Sequence, residues 1–188
     1  MPAVTVRSVV AAACLLLGAT TEVAGQSVLF GSHEMRLGMS ADSAVRRLER
    51  SFRLTANHGQ FQTWTVVDSL GPSSFAYRGQ IVASGGRVVS ISKSFTPDRA
   101  TPRRVGEAFF ALLERVSADG GSSCTVTTTR SPMPVDAAAG GTMLSATITC
   151  ARHEGIISVY QGGSASISNE PSITLQIQAP RPWRAGSR

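Results

Sequence analysis

The amino-acid sequence predicts an α+β fold in which two helices pack on an antiparallel sheet. Apolar residues recur at helical spacing in two segments, near 40–52 and from Thr101-Pro102 to Asp119. Between and after them lie segments that alternate polar and apolar residues, as half-buried strands do. Short turns rich in glycine join these segments, which favours antiparallel pairing with the helices on one face of the sheet.

Both predicted helices have a recognisable start. Ser40 is a suitable N-cap, and Asp42 places a negative charge in the first turn, where the helix dipole favours it. Thr101 is an acceptable cap, and Pro102 suits the first helical position. The apolar stripes that we expect against the sheet are Ala41, Ala44, Val45, Leu48 and Phe52 in the first helix, and Val105, Phe109, Leu112, Leu113 and Val116 in the second.

Seven segments have strand character. We expect strands over 60–68, 75–83, 87–95, 123–130, 142–151, 155–161 and 172–178. Ser84-Gly85-Gly86 between the second and third of these predicts a tight hairpin turn.

The order of the predicted elements suggests a tandem duplication of an α-β unit. Leu48-Glu49-Arg50 recurs as Leu113-Glu114-Arg115, about 65 residues later. We therefore predict one domain over 26–178 with two sub-units, 36–97 and 100–178. The Pro- and Arg-containing tail 179–188 is expected to be disordered.

The first 25 residues have the three parts of a secretory signal peptide. Arg7 lies in a short n-region, Val9–Ala19 form the apolar segment, and small residues precede a cleavage site between Gly25 and Gln26. The apolar segment is too short to span a bilayer, so we expect no integral membrane segment. Cys14 lies inside the apolar run instead of closing it, which favours its loss with the leader over lipidation. The expected location is periplasmic or extracellular.

Two cysteines, Cys124 and Cys150, remain after cleavage. An even pair in an exported domain predicts a disulfide, and the alternation of the flanking strands places both on buried faces. The enclosed loop of 26 residues predicts a stabilisation of roughly 3 kcal/mol. A redox or metal pair is disfavoured, because the spacing is not C-x-x-C and no histidines lie at ligand spacing.

The chain carries a net charge of +6, and all of its basic residues except Lys93 are arginine. Arginine suits bidentate contacts with phosphate or carboxylate groups, but the arginines are spread along the chain. Nucleic-acid binding needs a focused basic stripe, and acidic residues interrupt the basic segments here. We therefore expect no nucleic-acid partner.

The sequence contains no complete catalytic, metal or cofactor motif. His33-Glu34 and His153-Glu154 begin like a zinc-protease helix, but the second histidine of that motif is missing in both. His58 lies in a turn-like Asn-His-Gly tripeptide. No nucleophile elbow, phosphate-binding loop or dinucleotide fingerprint occurs. We therefore predict no catalytic, cofactor-binding or metal-binding residues.

One family resemblance rests on three features of the first half. These are the turn Leu37-Gly38-Met39-Ser40 before a helix, an aromatic strand with Trp64, and a hairpin carrying Gly85-Gly86-Arg87-Val88. Together they cover about 60 residues and resemble the BamE-like lipoproteins of outer-membrane assembly, as well as the related tandem fold of the β-lactamase inhibitory proteins. The lipid-anchor cysteine is missing, and the single-unit family lacks a second half. The resemblance implies a protein-binding scaffold without chemistry.

Two functions follow as hypotheses. The first is an exported, non-catalytic module that binds another envelope or secreted protein through its sheet face or loops. The alternative is an exported hydrolase whose site is assembled from dispersed residues, such as His58 or His153 with nearby carboxylates. A pocket in which these histidines converge on a carboxylate would favour the hydrolase.

Overall fold

A computed structural model describes residues 27–59, 61–71, 74–95, 101–118, 124–132, 142–161 and 171–180. The predicted signal peptide, its cleavage site at Gly25 and Gln26, and Cys14 lie outside the described residues. Of the predicted disordered tail, only Ala179 and Pro180 are described, and the Ala179 N–H donates to the Val89 carbonyl at 2.9 Å.

The described residues form ten strands and two helices. The helices are α1 (Ala41–Leu48) and α2 (Pro102–Ala118). The strands are β1 (Ser27–Phe30), β2 (His33–Arg36), β3 (Arg53–His58), β4 (Gln62–Gly71), β5 (Ser74–Ser84), β6 (Arg87–Phe95), β7 (Thr125–Pro132), β8 (Thr142–Thr149), β9 (Glu154–Gln161) and β10 (Ser172–Gln178). Neither helix has the length and apolar character that crossing a membrane requires.

Eight of the strands form one antiparallel sheet in the order β3-β4-β5-β6-β10-β9-β8-β7. Each half of the chain contributes four consecutive strands, and the last strands of the two halves, β6 and β10, pair at the centre. Strands β1 and β2 form a separate antiparallel hairpin. Strands β3 and β7 are therefore the two edges of the large sheet.

The predicted fold class, α+β with two helices packed on an antiparallel sheet, is wrong. The structure is mostly β, with ten strands against helices of only 8 and 17 residues. Three strands, β1, β2 and β3, were not predicted, because runs of four to six residues are too short for alternation to stand out. The first helix is also shorter than the predicted 40–52.

Backbone hydrogen bonds hold the start of α1 against the turn between β5 and β6. The Gly38 N–H donates to the Val88 carbonyl at 2.8 Å, and the Val88 N–H donates to the Met39 carbonyl at 2.9 Å. Ser40 caps the helix as predicted, since its Oγ accepts a hydrogen bond from the Ser43 N–H at 3.2 Å. The position of α1 is therefore determined by the hairpin as well as by its own sequence.

The end of α1 differs from the prediction because of Phe52. Its N–H still donates to the Leu48 carbonyl at 2.8 Å, but the helix has ended at Leu48. The Phe52 ring instead packs edge-on against Phe30 of β1, with ring centroids 6.3 Å apart. Phe52 has the spacing of the apolar stripe of α1, but its side chain packs on the β1-β2 hairpin and lies outside the helix.

The second helix agrees closely with its prediction. Thr101 precedes it, and the Thr101 Oγ1 accepts a hydrogen bond from the Arg104 N–H at 3.4 Å. Three residues of its apolar stripe, Val105, Phe109 and Val116, are buried, and α2 contacts β8, β9 and β10.

One face of the large sheet supplies the core. The fully buried side chains of this face are interleaved along the strands with polar residues that point the other way. Side chains of the hairpin, α1 and α2 pack on the same face, which we call the covered face. Its buried residues include Val66, Ile81, Ile91, Ala146, Ile148, Ile157, Ile173, Leu175 and Ile177.

Two glycines allow close packing on the covered face. Gly79 has a φ of +154°, and a Cβ there would overlap the Ser92 carbonyl oxygen and lie 2.9 Å from Phe30 Cε1. Gly155 lies beneath α2, where a Cβ would lie 2.5 Å from Val116 Cγ1. Phe30 and Val116 are buried because these glycines carry no side chain.

Candidate functional site

The predicted cysteine pair is bonded in the structure. Cys124 immediately precedes β7 and Cys150 immediately follows β8, with their Cα atoms 4.4 Å apart. The bond joins the edge strand β7 to its neighbour β8 at one end of their shared ladder. Cys150 is buried and belongs to the core, so the disulfide has a structural position.

His153 is buried beneath the end of α2 and is out of reach of a substrate. Its side chain is 0% exposed, and its Nε2 lies 3.3 Å from the carbonyl oxygen of Val116. That carbonyl is among the last four of α2, which have no partner inside the helix. The His153 Nδ1 has no hydrogen-bond partner among the described residues. His153 therefore supports the helix end, in the tautomer that carries a proton on Nε2.

The other two histidines lie in the first half of the chain. His33 begins β2, and its Nε2 lies 2.8 Å from the Ser51 hydroxyl. His58 ends β3, where its backbone pairs with Gln62, and its side chain lies outside the described part of the structure. Within the described residues, no three His, Cys, Asp or Glu side chains gather as metal ligands would.

The second face of the large sheet is polar, and we call it the open face. Most of its residues are at least partly exposed, but Ser90, Ser145, Glu154 and Gln178 are buried. Its polar part consists of three rows that run across the strands: two cross all eight strands, and the third crosses β7, β8, β9, β10 and β6. The first row is Thr125, Thr149, Glu154, Gln178, Ser90, Val82, Thr63 and Asn57; the second is Thr127, Thr147, Ile156, Gln176, Ser92, Gln80, Thr65 and Thr55; the third is Thr129, Ser145, Ser158, Thr174 and Ser94.

The three rows contain almost no charge, although the exposed Arg53 of β3 lies on the same face beside them, next to Val67 and Tyr77. Every residue of the three rows except Ile156 and Val82 carries a hydroxyl, an amide or a carboxyl group. Glu154 is the one ionisable residue among them, and it is 5% exposed. All residues of the second row are at least partly exposed. The surface therefore offers hydrogen-bond donors and acceptors without a net electrostatic attraction.

Side-chain hydrogen bonds connect the central strands on the open face. The hydroxyls of Ser145 and Ser158, on β8 and β9, lie 2.9 Å apart. The Gln176 amide donates to the Ser90 hydroxyl at 3.2 Å and to the Gln178 carbonyl oxygen at 3.3 Å. These bonds restrict the rotamers of the short side chains, so part of the surface is ordered before any partner arrives.

Lys93 is a cation on the covered face, and sequence reasoning assigned it no role. It lies on β6 opposite Leu175 of β10 and Gly79 of β5. Its ammonium group donates to the carbonyl oxygen of Leu29 at 2.7 Å and so ties β1 to the sheet. Burial lowers the pKa of Lys93, and the positive charges of Arg78 and Arg115 lower this pKa further.

Two clefts flank strand β1 on the covered face, and Lys93 lines both. One, of about 290 Å³, includes Phe30, Phe52 and the ion pair in which Arg78 donates to Asp68 at 2.9 Å. The other, of about 240 Å³, lies between β1 and α2. A third cleft, of about 290 Å³, lies near the β7 edge and is lined by Leu144 and Val159. Among the described residues, no histidine lines any of the three clefts.

The fold and its two faces define the class of this protein: a β-rich, disulfide-linked domain with one covered face and one open polar face. No protein-family model, curated protein or solved structure matches the chain. The resemblance to the BamE-like and inhibitory-protein folds therefore stays a prediction. Sequence reasoning found the disulfide but not the open face, although the alternating Ser and Thr residues were its visible signal.

Proposed function

We propose that this protein is an exported, non-catalytic module that binds another envelope or secreted protein through its open face. The observation that carries the proposal is the pairing register, which brings short uncharged polar side chains from all eight strands onto one surface. A sheet face on which most of the row residues are at least partly exposed offers a rigid platform for a partner.

The size of the open face suits a protein partner. The rows hold 21 residues, eight in each of the first two and five in the third, and each residue covers about 4.8 Å across the strands and about 6.8 Å along them. The projected area is then roughly 700 Å², close to the about 800 Å² that each partner contributes to a standard interface. A small molecule needs a concave pocket instead, and of the residues in these rows only Ser94 lines one of the three clefts described above.

The chemistry of the open face also suits a protein surface. Ser and Thr lose little side-chain entropy when they are buried, and they can donate or accept hydrogen bonds. Because Glu154, the one charged residue within the rows, is only 5% exposed, binding on the rows should depend little on salt. We expect the affinity to change less than threefold between about 0.05 and 0.5 M NaCl.

The hydrolase alternative receives no support from His153. A general base must come within hydrogen-bond reach of a substrate, and the His153 side chain is fully buried. Its one hydrogen-bond contact is the Val116 carbonyl, and no carboxylate bonds to it among the described residues.

Site-specific photo-crosslinking tests the proposed surface. A photoreactive amino acid replaces Ser92, in the middle row of the open face, in cells of the source organism. The matched control places the same amino acid at Ala111, an exposed position on α2. We expect a discrete crosslinked protein from Ser92 that is absent from Ala111. No crosslink at Ser92, or the same products at both positions, contradicts the proposal.

A charge introduced on the open face then tests whether the captured partner binds there. Gln176→Arg places a cation in the middle row, whereas Ala111→Arg adds the same charge on the exposed surface of α2. We expect Gln176→Arg to weaken binding of the purified partner at least tenfold and Ala111→Arg to leave it unchanged. Equal binding by both folded variants excludes the open face as the interface.

The export part of the proposal is tested separately by intact mass. We expect the mature protein to begin at Gln26 and to be recovered outside the cytoplasm. Recovery of the full-length chain in the cytoplasm contradicts export but leaves the proposed surface testable with purified protein.

A further inference from the structure

The cleft between β1 and α2 combines aliphatic walls with two cationic side chains. It has a volume of about 240 Å³. Leu29 of β1, Leu112 of α2 and Leu175 of β10 form its apolar walls, while Lys93 and Arg115 contribute the charges. No acidic side chain lines it among the described residues. A concave apolar site with a few convergent polar groups is the usual form of a small-molecule site.

Lys93 is an unusual residue at its position. Its cross-strand neighbours on the covered face are Leu175 and Gly79, both buried, so the sheet pattern calls for an apolar side chain there. The ammonium group has three N–H donors, and its one described acceptor is the Leu29 carbonyl oxygen at 2.7 Å. A partly buried cation therefore keeps donors for a ligand in the cleft.

Arg115 adds a second positive charge to the same cleft. It is exposed on the last turn of α2, and no carboxylate forms an ion pair with it among the described residues. The pKa of Glu34 of β2 is lowered by the hydrogen bond from Arg36 and, to a smaller extent, by the charge of Arg115, but that carboxylate is already bonded to Arg36 at 2.7 Å. Two cations that share one cleft repel each other, and an anion between them would remove that repulsion.

We propose that this cleft binds a small aliphatic carboxylate, with its carboxylate between Lys93 and Arg115 and its alkyl chain against Leu29, Leu112 and Leu175. The volume is below the about 300–1,000 Å³ of pockets for drug-sized ligands, which favours a short acid over a nucleotide or a long lipid. The guanidinium of Arg115 can hold a carboxylate in bidentate geometry.

Calorimetric titration of the mature protein with hexanoate tests this site. Acetate has the carboxylate without the chain, and 1-hexanol has the chain without the charge. We expect saturable one-to-one binding of hexanoate, and binding at least tenfold weaker for both acetate and 1-hexanol. No saturable binding of hexanoate, or equal binding of 1-hexanol, overturns the proposal.

Two variants and a control place the binding in the cleft. Arg115→Gln changes an exposed side chain and should keep the fold, and we expect it to weaken hexanoate binding at least fivefold. Lys93→Met removes the second cation and should weaken binding at least tenfold, although it also loses the bond to Leu29. Arg47→Gln removes an exposed charge from α1 and should have no effect. Unchanged binding in Arg115→Gln overturns the site even if Lys93→Met fails to fold.

Backbone NMR spectra give a second readout that does not depend on affinity. We expect hexanoate to shift the amide signals of residues 27–29, 93, 112 and 115, and to leave those of 127 and 147 on the open face unchanged. Shifts confined to other residues overturn the assignment. The cleft lies on the covered face, so either result leaves the proposed protein-binding surface to its own test.

Discussion

Gly155 is the position where one added methyl group should be most informative. A Cβ at this residue would lie 2.5 Å from Val116 Cγ1, far inside van der Waals contact. Val116 is 2% exposed and belongs to the core, so it has little room to move. Overpacking of this kind costs about 1–3 kcal/mol. We therefore expect Gly155→Ala to lower the free energy of unfolding by about 1–3 kcal/mol.

A second substitution should relieve the clash. In Val116→Ala only the Cβ remains, and it would lie 3.6 Å from the new methyl group, which is an ordinary contact. Val116→Ala alone should cost about 2 kcal/mol, because two buried methyl groups are lost. The double variant should be more stable than the sum of the single changes by at least about 1 kcal/mol.

Urea unfolding of the four proteins, with the disulfide intact, measures this coupling. Gly106→Ala is the matched control, because a Cβ there meets nothing within 4 Å on α2. It should stabilise the protein by up to about 1 kcal/mol through helix propensity. Additive effects of Gly155→Ala and Val116→Ala, or a stabilising Gly155→Ala, would refute the reasoning that α2 packs directly on β9.

Three further predictions concern stability. Replacing Cys124 and Cys150 together by serine should lower the free energy of unfolding by about 3–4 kcal/mol, because the bond closes a loop between cysteines 26 residues apart. Urea unfolding measures this loss, and an unchanged free energy would contradict a structural role for the disulfide. Phe30→Ala should cost about 3–5 kcal/mol in the same assay, because the ring is 1% exposed; a cost below about 1 kcal/mol would show that β1 does not pack on the sheet. The hydrogen bond from Arg36 lowers the pKa of Glu34 in the folded protein. The ionised Glu34 therefore stabilises the fold above pH 4.5, and this stabilisation is lost as the pH falls through the lowered folded-state pKa. The effect should be below about 1 kcal/mol for this exposed pair. Between about pH 2 and 6, the free energy of unfolding of Glu34→Gln should therefore depend less on pH than that of the parent. An equal pH dependence in the two proteins contradicts the prediction.

Local signals in the sequence located several elements well. The predicted Ser84-Gly85-Gly86 turn joins β5, which ends at Ser84, to β6. The strands predicted over 87–95 and 172–178 have the same bounds in the structure. The start of α2 follows from Pro102, because a proline suits the first helical turn. These features depend on a few neighbouring residues, which is why a single sequence contains them.

The sequence did not reveal how the strands are arranged. Phe52 continues the helical stripe of α1 in the sequence but packs on Phe30, 22 positions away, and no local pattern distinguishes the two roles. The same holds for Lys93, whose acceptor is the carbonyl oxygen of Leu29. Both contacts join distant parts of the chain, whereas the predicted fold class failed because the short strands β1, β2 and β3 were not recognised.

What the sequence alone determined was which residues of an unbulged strand segment share a side, since alternation assigns every second residue to the same side. It also determined that Cys124 and Cys150 would be the available pair after removal of the predicted leader. Only the tertiary structure decided that β6 pairs with β10, and so that two groups of four strands form one sheet. The physical reason is that strand order and register depend on backbone hydrogen bonds between distant segments. Both proposed sites follow from that pairing.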